Sequence, residues 1–232
     1  MDTAKDARVL VVEDALRRLN DVIGNRKLKT HLDYSKLNEL LKTAGALLYE
    51  VKYSYVESAS LADLDPTVNL VAAIKELFGL VNESIKSKSY SPTSKGEKLA
   101  LAEAAYSSRI VTGFQRRLKE FDEDPGYAID ILAVEISALA PVQGSNNLTE
   151  CRCTDGSRIW TIVTNIKGLK PQTKLSCAIL PPSDMMGVVS EAMFLGSTPL
   201  PESTNLGQLS TPPDSALDQA RAQVMQITKR MI

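Results

Sequence analysis

The hydrophobic pattern changes period once along the chain. Up to about residue 121, apolar residues recur at spacings of three and four, the period of a helix with one buried face. In RVLVVEDALRRLNDVIG that face is Val9, Val12, Leu16, Leu19 and Ile23. Residues 20–31 contain a glycine and a basic cluster and read as a connection. Leu37, Leu40, Leu41, Ala44, Leu47, Leu48 and Val51 then form a wide apolar stripe. Asp65-Pro66 marks a helix start, with Asp at the N-cap and Pro at the first helical position. Leu70, Ile74, Leu77, Phe78 and Val81 continue that helix. After the polar linker KSKSYSPTS, Ser94 and Glu97 have the spacing of a capping box. They open a long helix bearing Leu101, Ala105, Ile110, Phe114, Leu118 and Phe121. Four such helices with short connections predict an antiparallel bundle over residues 1–123.

Beyond the breaker Asp124-Pro125-Gly126 the texture becomes that of strands. In YAIDILAVEISALA both alternating faces are largely apolar, and LTECRC, RIWTIVTNI and KLSCAIL follow between turn residues. Pro181-Pro182 reads as the end of a strand. Several short strands with no helical pattern between them predict a small closed or partly closed barrel over residues 126–200. Residues 201–213 are a Pro/Ser/Thr-rich linker, and 214–232 an amphipathic helix with Leu217, Ala220, Val224, Ile227 and Met231 along one seam. Such a helix covers the bundle, the barrel or a partner chain. The predicted class is α+β in two domains: a helical bundle, then a small barrel, then a C-terminal helix.

Composition narrows the function classes. A formal net charge of −1 over 232 residues supplies no general basic field, so nucleic-acid binding requires a local patch. No apolar run approaches a membrane span, and MDTAKDARVL does not resemble a secretory signal, so a cytoplasmic protein with no membrane partner is expected. Phosphate-loop, dinucleotide-fold and zinc-protease motifs are missing from the sequence, so no enzyme and no cofactor are expected. Cys151-x-Cys153 places two thiols on one strand face, but only Cys177 remains as a further ligand. Buried barrel cysteines are favoured over a metal or redox site, which needs about four ligands. His31 lies in a basic connection and reads as solvated or capping. Arg109, Arg116, Arg117 and Lys119 stud the last helix of the bundle, where they serve either phosphates or a solvated face beside Glu120, Asp122, Glu123 and Asp124.

The second half also carries a resemblance. Arg158, the run Thr161-Ile162-Val163-Thr164-Asn165, the segment Leu175-x-x-Ala178-Ile179-Leu180-Pro181-Pro182, and above all Gly187-Val188-x-Ser190-x-x-Met193 carry it. Residues 126–200 resemble the tRNA-binding OB-fold domain of the EMAP-II and methionyl-tRNA synthetase C-terminal type. The resemblance implies an OB barrel, a tRNA-binding edge that reads shape rather than base sequence, and frequent homodimers. It puts Ser190, Met193 and Asn146 against tRNA, with Arg158, Lys167 and Lys170 near phosphates and Arg109, Arg116 and Arg117 adding to them. The chain departs from that family in two places. Val142-Gln143-Gly144-Ser145-Asn146-Asn147-Leu148 lacks the family's lysine, and Ala192 stands where the family has glycine. Residues 126–210 carry five basic and seven acidic side chains, a balance of −2, whereas phosphate binding calls for a basic surface. The sequence therefore predicts a non-catalytic tRNA-binding accessory protein, with tRNA and an aminoacyl-tRNA synthetase or other protein as partners. The alternative is a protein-interaction or chaperone-like module on an OB scaffold.

Overall fold

A computed structural model of the chain describes residues 1–87 and 90–229. The helical part comprises α1 Ala7–Gly24, α2 Tyr34–Lys52, α3 Ser58–Asp63, α4 Asp65–Ser87, α5 Lys95–Thr112 and α6 Phe114–Glu120. Three of these helices, α1, α2 and α5, start where a side chain takes up a free N–H group of the first turn. Asp6 accepts from Arg8 N, Asp33 accepts from Lys36 N, and Ser94 and Glu97 close the expected capping box. Each such cap stabilises its helix by about 1 kcal/mol. The apolar faces read from the sequence are the buried ones: Val9, Val12, Leu19 and Ile23 on α1, Leu37, Ala44 and Val51 on α2, and Leu70, Ile74, Leu77 and Val81 on α4 lie in one core, with α2 packed against both α1 and α4.

The helical part has six helices rather than the four expected, and α1 ends later than expected. α1 continues through residue 24, so the connection is 25–33 rather than 20–31. The short α3 occupies a stretch with no clear period. The long final helix is two helices, α5 and α6, parted at Gly113. Glycine is a poor helix former, and here it also leaves room for a neighbour. A Cβ on Gly113 would lie 2.6 Å from Nη1 of the buried Arg117.

The sheet contains β1 Ile131–Pro141, β2 Thr149–Thr154, β3 Ile159–Thr164, β4 Lys174–Met185, β5 Val188–Phe194 and β6 Gly207–Gln208. A short 3-10 helix, Pro125–Ala128, precedes it and takes the first residues expected in a strand. All pairings are antiparallel, in the order β3-β2-β1-β4-β5, with β6 added beside β1. Pro181-Pro182 does not end a strand. The two prolines sit inside β4, at the register irregularity between Ile179 and Ser183. A proline has no N–H to give a ladder, so a break in register is where a continuous strand can hold one. Among the described residues the backbone ladder does not close into a ring. Instead β3 and β5 approach and are tied by side chains: Ser190 Oγ accepts from Val163 N at 3.0 Å, and Glu191 Oε2 from Thr161 N at 3.3 Å.

The last helix, α7 Asp214–Thr228, covers the seam between helices and sheet. It buries Leu217, Ala220 and Val224 against the 3-10 helix, α1 and β4. Gly126 admits it: a Cβ there would lie 2.5 Å from Leu217 Cδ1. Arg221 Nε bonds both oxygens of Asp124 at 2.9 Å, fixing the helix to the start of the sheet part. Met231 lies outside the described residues. Buried apolar side chains of helices and strands form one continuous core. No helix among the described residues is long and apolar enough to cross a membrane.

Candidate nucleic-acid interface

The β4–β5 hairpin turns on two residues of positive φ, Met186 at +56° and Gly187. Gly187 has φ +92°, a value that side-chain-bearing residues rarely adopt. Its N–H is taken by Asp184 Oδ1 at 2.5 Å, and a Cβ on it would meet Lys95 Nζ at 2.6 Å. The hairpin tip also touches the β1–β2 loop, where the Cβ position of Gly144 is 3.3 Å from Met186 Cε. The two loops therefore form one continuous rim. Thr149 pairs with Thr164, so the 142–148 loop and the 165–173 loop leave the sheet at the same end. That end carries exposed Asn146 on the first loop and exposed Lys167 and Lys170 on the second.

Two residues of the Gly187–Met193 stretch have different fates. Ser190 is only 4% exposed, and its hydroxyl is used twice, accepting from Val163 N and donating to Ala192 O at 3.1 Å. It sews β5 to β3 and does not present its hydroxyl to solvent. Met193 is half-buried and faces a cleft of about 360 Å³. The cleft lies between β4 and β5, α1 and α7. Leu180, Met185, Met193 and Ile227 give it an apolar side, and Arg17, Arg18, Gln223 and Gln226 a polar one. Arg17 and Arg18 both donate to the buried Asp14 at 2.6 Å, which fixes their direction. Arg17 remains half in solvent.

The arginines named from the sequence are more constrained. Arg158 Nη2 donates to Glu191 Oε1 at 2.6 Å, and its guanidinium lies 3.8 Å from the centroid of the Trp160 ring. Trp160 in turn donates its indole N–H to Asp155 Oδ2 at 2.8 Å. Burial pushes the Asp155 carboxyl up, but bonds from Ser157, Arg158 N–H and Trp160 outweigh it and hold the group at about 2. Arg109, Arg116 and Arg117 converge on one carboxylate, Asp130 at the foot of β1. Arg109 Nε reaches Oδ2 at 2.6 Å, while Arg116 Nη2 and Arg117 Nη1 reach Oδ1 at 2.7 and 2.9 Å. Arg117 is fully buried and also bonds the Ile110 carbonyl. Burial raises the Asp130 carboxyl, yet Arg117, Arg109 and Arg116 pull harder and hold it below the ordinary range. This cluster fastens the helical part to the sheet and is remote in composition from the Met193 cleft.

Other features were less visible beforehand. Asp14 followed by Arg17 and Arg18 has the spacing of helix-surface ion pairs, which was a usable signal. Asp130 is one of two acids, with Glu135, inside an apolar run, and only tertiary contact singles it out. Tyr49, Tyr53 and Tyr55 are exposed together, with ring centroids 4.7 and 6.4 Å apart along the series. Cys151, Cys153 and Cys177 are buried free thiols. Burial pushes Cys151 to about 11, Cys153 to about 12 and Cys177 higher still, so they behave as small apolar core residues. Among the described residues no cluster of His, Cys, Asp and Glu has the makings of a metal site. His31 is exposed, and its carbonyl accepts from Ser84 Oγ at 2.7 Å.

No curated protein matches the chain. Among solved structures it is similar to the MetRS related protein from Pyrococcus horikoshii, at 20% identity and a TM-score of 0.35, over 38% of this chain and 94% of that one. A family described as "Alpha helical domain" matches residues 1–120, which spans α1 to α6. That match covers more than half of the 232 residues, and the chain belongs to this family.

Proposed function

We propose that the protein is a non-catalytic tRNA-binding accessory protein that engages RNA through the β4–β5 edge of an OB-type sheet. The observation that carries this reading is the placement of Met193. It faces a mixed cleft, and the Gly187 hairpin beside that cleft joins the loop carrying Asn146 in one rim. Three further points support it. The strand order β3-β2-β1-β4-β5, with β5 side chains tied to β3, is what an OB barrel requires short of a closing ladder. A thioether in a half-buried cleft offers an adaptable surface to a base or sugar. Lys167 and Lys170 project from the loop at the Asn146 end, where a backbone could pass. Ser190 contributes by holding the edge in place, and Arg158 by bracing it through Glu191. An aminoacyl-tRNA synthetase or another protein is the partner this role calls for.

The test is fluorescence anisotropy with unfractionated tRNA. Met193→Ala and the pair Lys167→Ala/Lys170→Ala are each expected to weaken binding by roughly threefold to thirtyfold, the loss of one stacking surface or two phosphate contacts. Unchanged affinity in both variants would remove this edge as the site. The exposed Tyr49, Tyr53 and Tyr55 favour a second reading, in which the helical part is a protein-docking surface. Tyr49→Ser/Tyr53→Ser that lost a protein partner but kept tRNA affinity would support that reading for the helices alone.

A further inference from the structure

The Asp130 cluster does more than join helices to sheet. Three guanidiniums meet there, and the carboxylates within reach are Asp130 and, at 3.5 Å from Arg116 Nη1, Glu120. One unit of positive charge is left over. Each guanidinium has five N–H donors. Arg109 gives Asp130 only its Nε, and Arg116 gives it only Nη2, which also reaches Gln208 Oε1 at 3.4 Å. Arg116 Nη1 and Arg117 Nε are buried without a hydrogen-bond partner among the described residues. Buried guanidinium nitrogens are costly to leave unpaired, and native proteins rarely do so without a reason.

Arg109 and Arg116 border a cleft of about 490 Å³, with Nη1 and Nη2 of Arg109 and Nε of Arg116 not engaged in any hydrogen bond among the described residues. Arg109, Arg116 and Asp130 line it together with Thr112, the bare backbone at Gly113, Glu120, Phe121, Gln208 and Ser210, and the Glu120 carboxylate is already counted in the charge balance. Arg117 is buried behind this lining and cannot swing away, since Asp130 and the Ile110 carbonyl hold its two ends. The positive charge is thus fixed in place before any ligand arrives. We propose that this cleft binds a phosphate group, held by the outward N–H groups of Arg109 and Arg116. A tetrahedral oxyanion only accepts hydrogen bonds, fits a guanidinium fork in a paired fashion, and would absorb the residual charge. The phosphate comes either from a small phosphate ester or from an RNA backbone. This site is separate from the Met193 cleft and stands whether or not the barrel edge binds tRNA.

The experiment is a titration of the 15N-labelled full chain with inorganic phosphate, against sodium chloride at equal ionic strength. Saturable shifts of the Arg109 and Arg116 Nε–H signals and of the Thr112, Gly113 and Ser210 amides are expected with phosphate alone. Arg116→Gln is expected to raise the phosphate Kd roughly tenfold or more, the loss of a charge-assisted hydrogen bond. That variant also loosens the grip on Asp130, so Ser210→Asp is tested beside it. It sets a carboxylate in the cleft lining, leaves the Asp130 cluster untouched, and is expected to weaken phosphate several-fold by like-charge repulsion. A tRNA arm separates the sources: shifts of the same signals with tRNA identify backbone phosphates, and shifts with phosphate alone identify a small ester. The proposal is overturned if phosphate and chloride act alike, or if both variants bind phosphate as the unaltered protein does.

Discussion

Asp130 is 2% exposed and still ionised, because three guanidiniums outweigh the cost of its burial. Its folded carboxyl titrates below the value of about 3.9 expected in the unfolded chain. The group therefore binds fewer protons when folded. Its contribution to stability is complete above the unfolded value and is lost as pH falls through the folded one. Asp130→Asn removes the counter-charge from three arginines at any pH. Urea unfolding at neutral pH should show a loss of about 3–5 kcal/mol. The acid side of the stability profile should also flatten in the variant, and an unchanged acid limb would show that other carboxylates govern it. At this scale the sequence was only partly legible. Arg109, Arg116 and Arg117 stood out as basic residues near one another, but a one-dimensional pattern cannot display a carboxylate folded in from a strand. Ser190 shows the same limit: its spacing to Met193 marked an edge, whereas its hydroxyl faces Val163 N on a strand distant in sequence.

Among the elements, period and punctuation were reliable guides and local exceptions were not. The apolar faces of α1, α2 and α4 were read correctly, because a stripe at helical spacing has to be buried. The capping box at Ser94 and Glu97 held for the same local reason. The break between α5 and α6 was hidden, since one glycine in an otherwise periodic helix is compatible with continuity. What decides it is Arg117, packed 2.6 Å from where a Gly113 side chain would begin. Gly113→Ala should improve helix propensity locally and yet destabilise the protein. The buried guanidinium has no direction in which to yield, and such overpacking costs about 1–3 kcal/mol. A thermal unfolding midpoint at or above that of the unaltered protein would contradict this account of the break. Pro181-Pro182 failed as punctuation in the opposite sense, because a register irregularity lets β4 continue through it.

Across the whole molecule, helices and sheet share one core and are clasped twice, by Asp130 with its arginines and by α7 through Arg221 and Asp124. The Met193 cleft exists only because α1, the β4–β5 edge and α7 meet there. The Gly187–Met193 stretch was legible in the sequence, whereas α1 and α7 as the other two walls of the cleft were not. The balance of −2 over residues 126–210 is also less discouraging in three dimensions. Asp130, Asp155 and Glu191 are each engaged internally, while Lys167 and Lys170 stay exposed. If this edge binds RNA, the interaction will have few phosphate contacts and a weak dependence on salt. The most direct measurement is the affinity of the full chain for unfractionated tRNA across a series of salt concentrations. With two or three phosphates neutralised, log K should fall against log salt with a slope of about −2 to −3. Failure to bind at the lowest salt concentration would contradict the assignment of the β4–β5 edge as an RNA-binding surface.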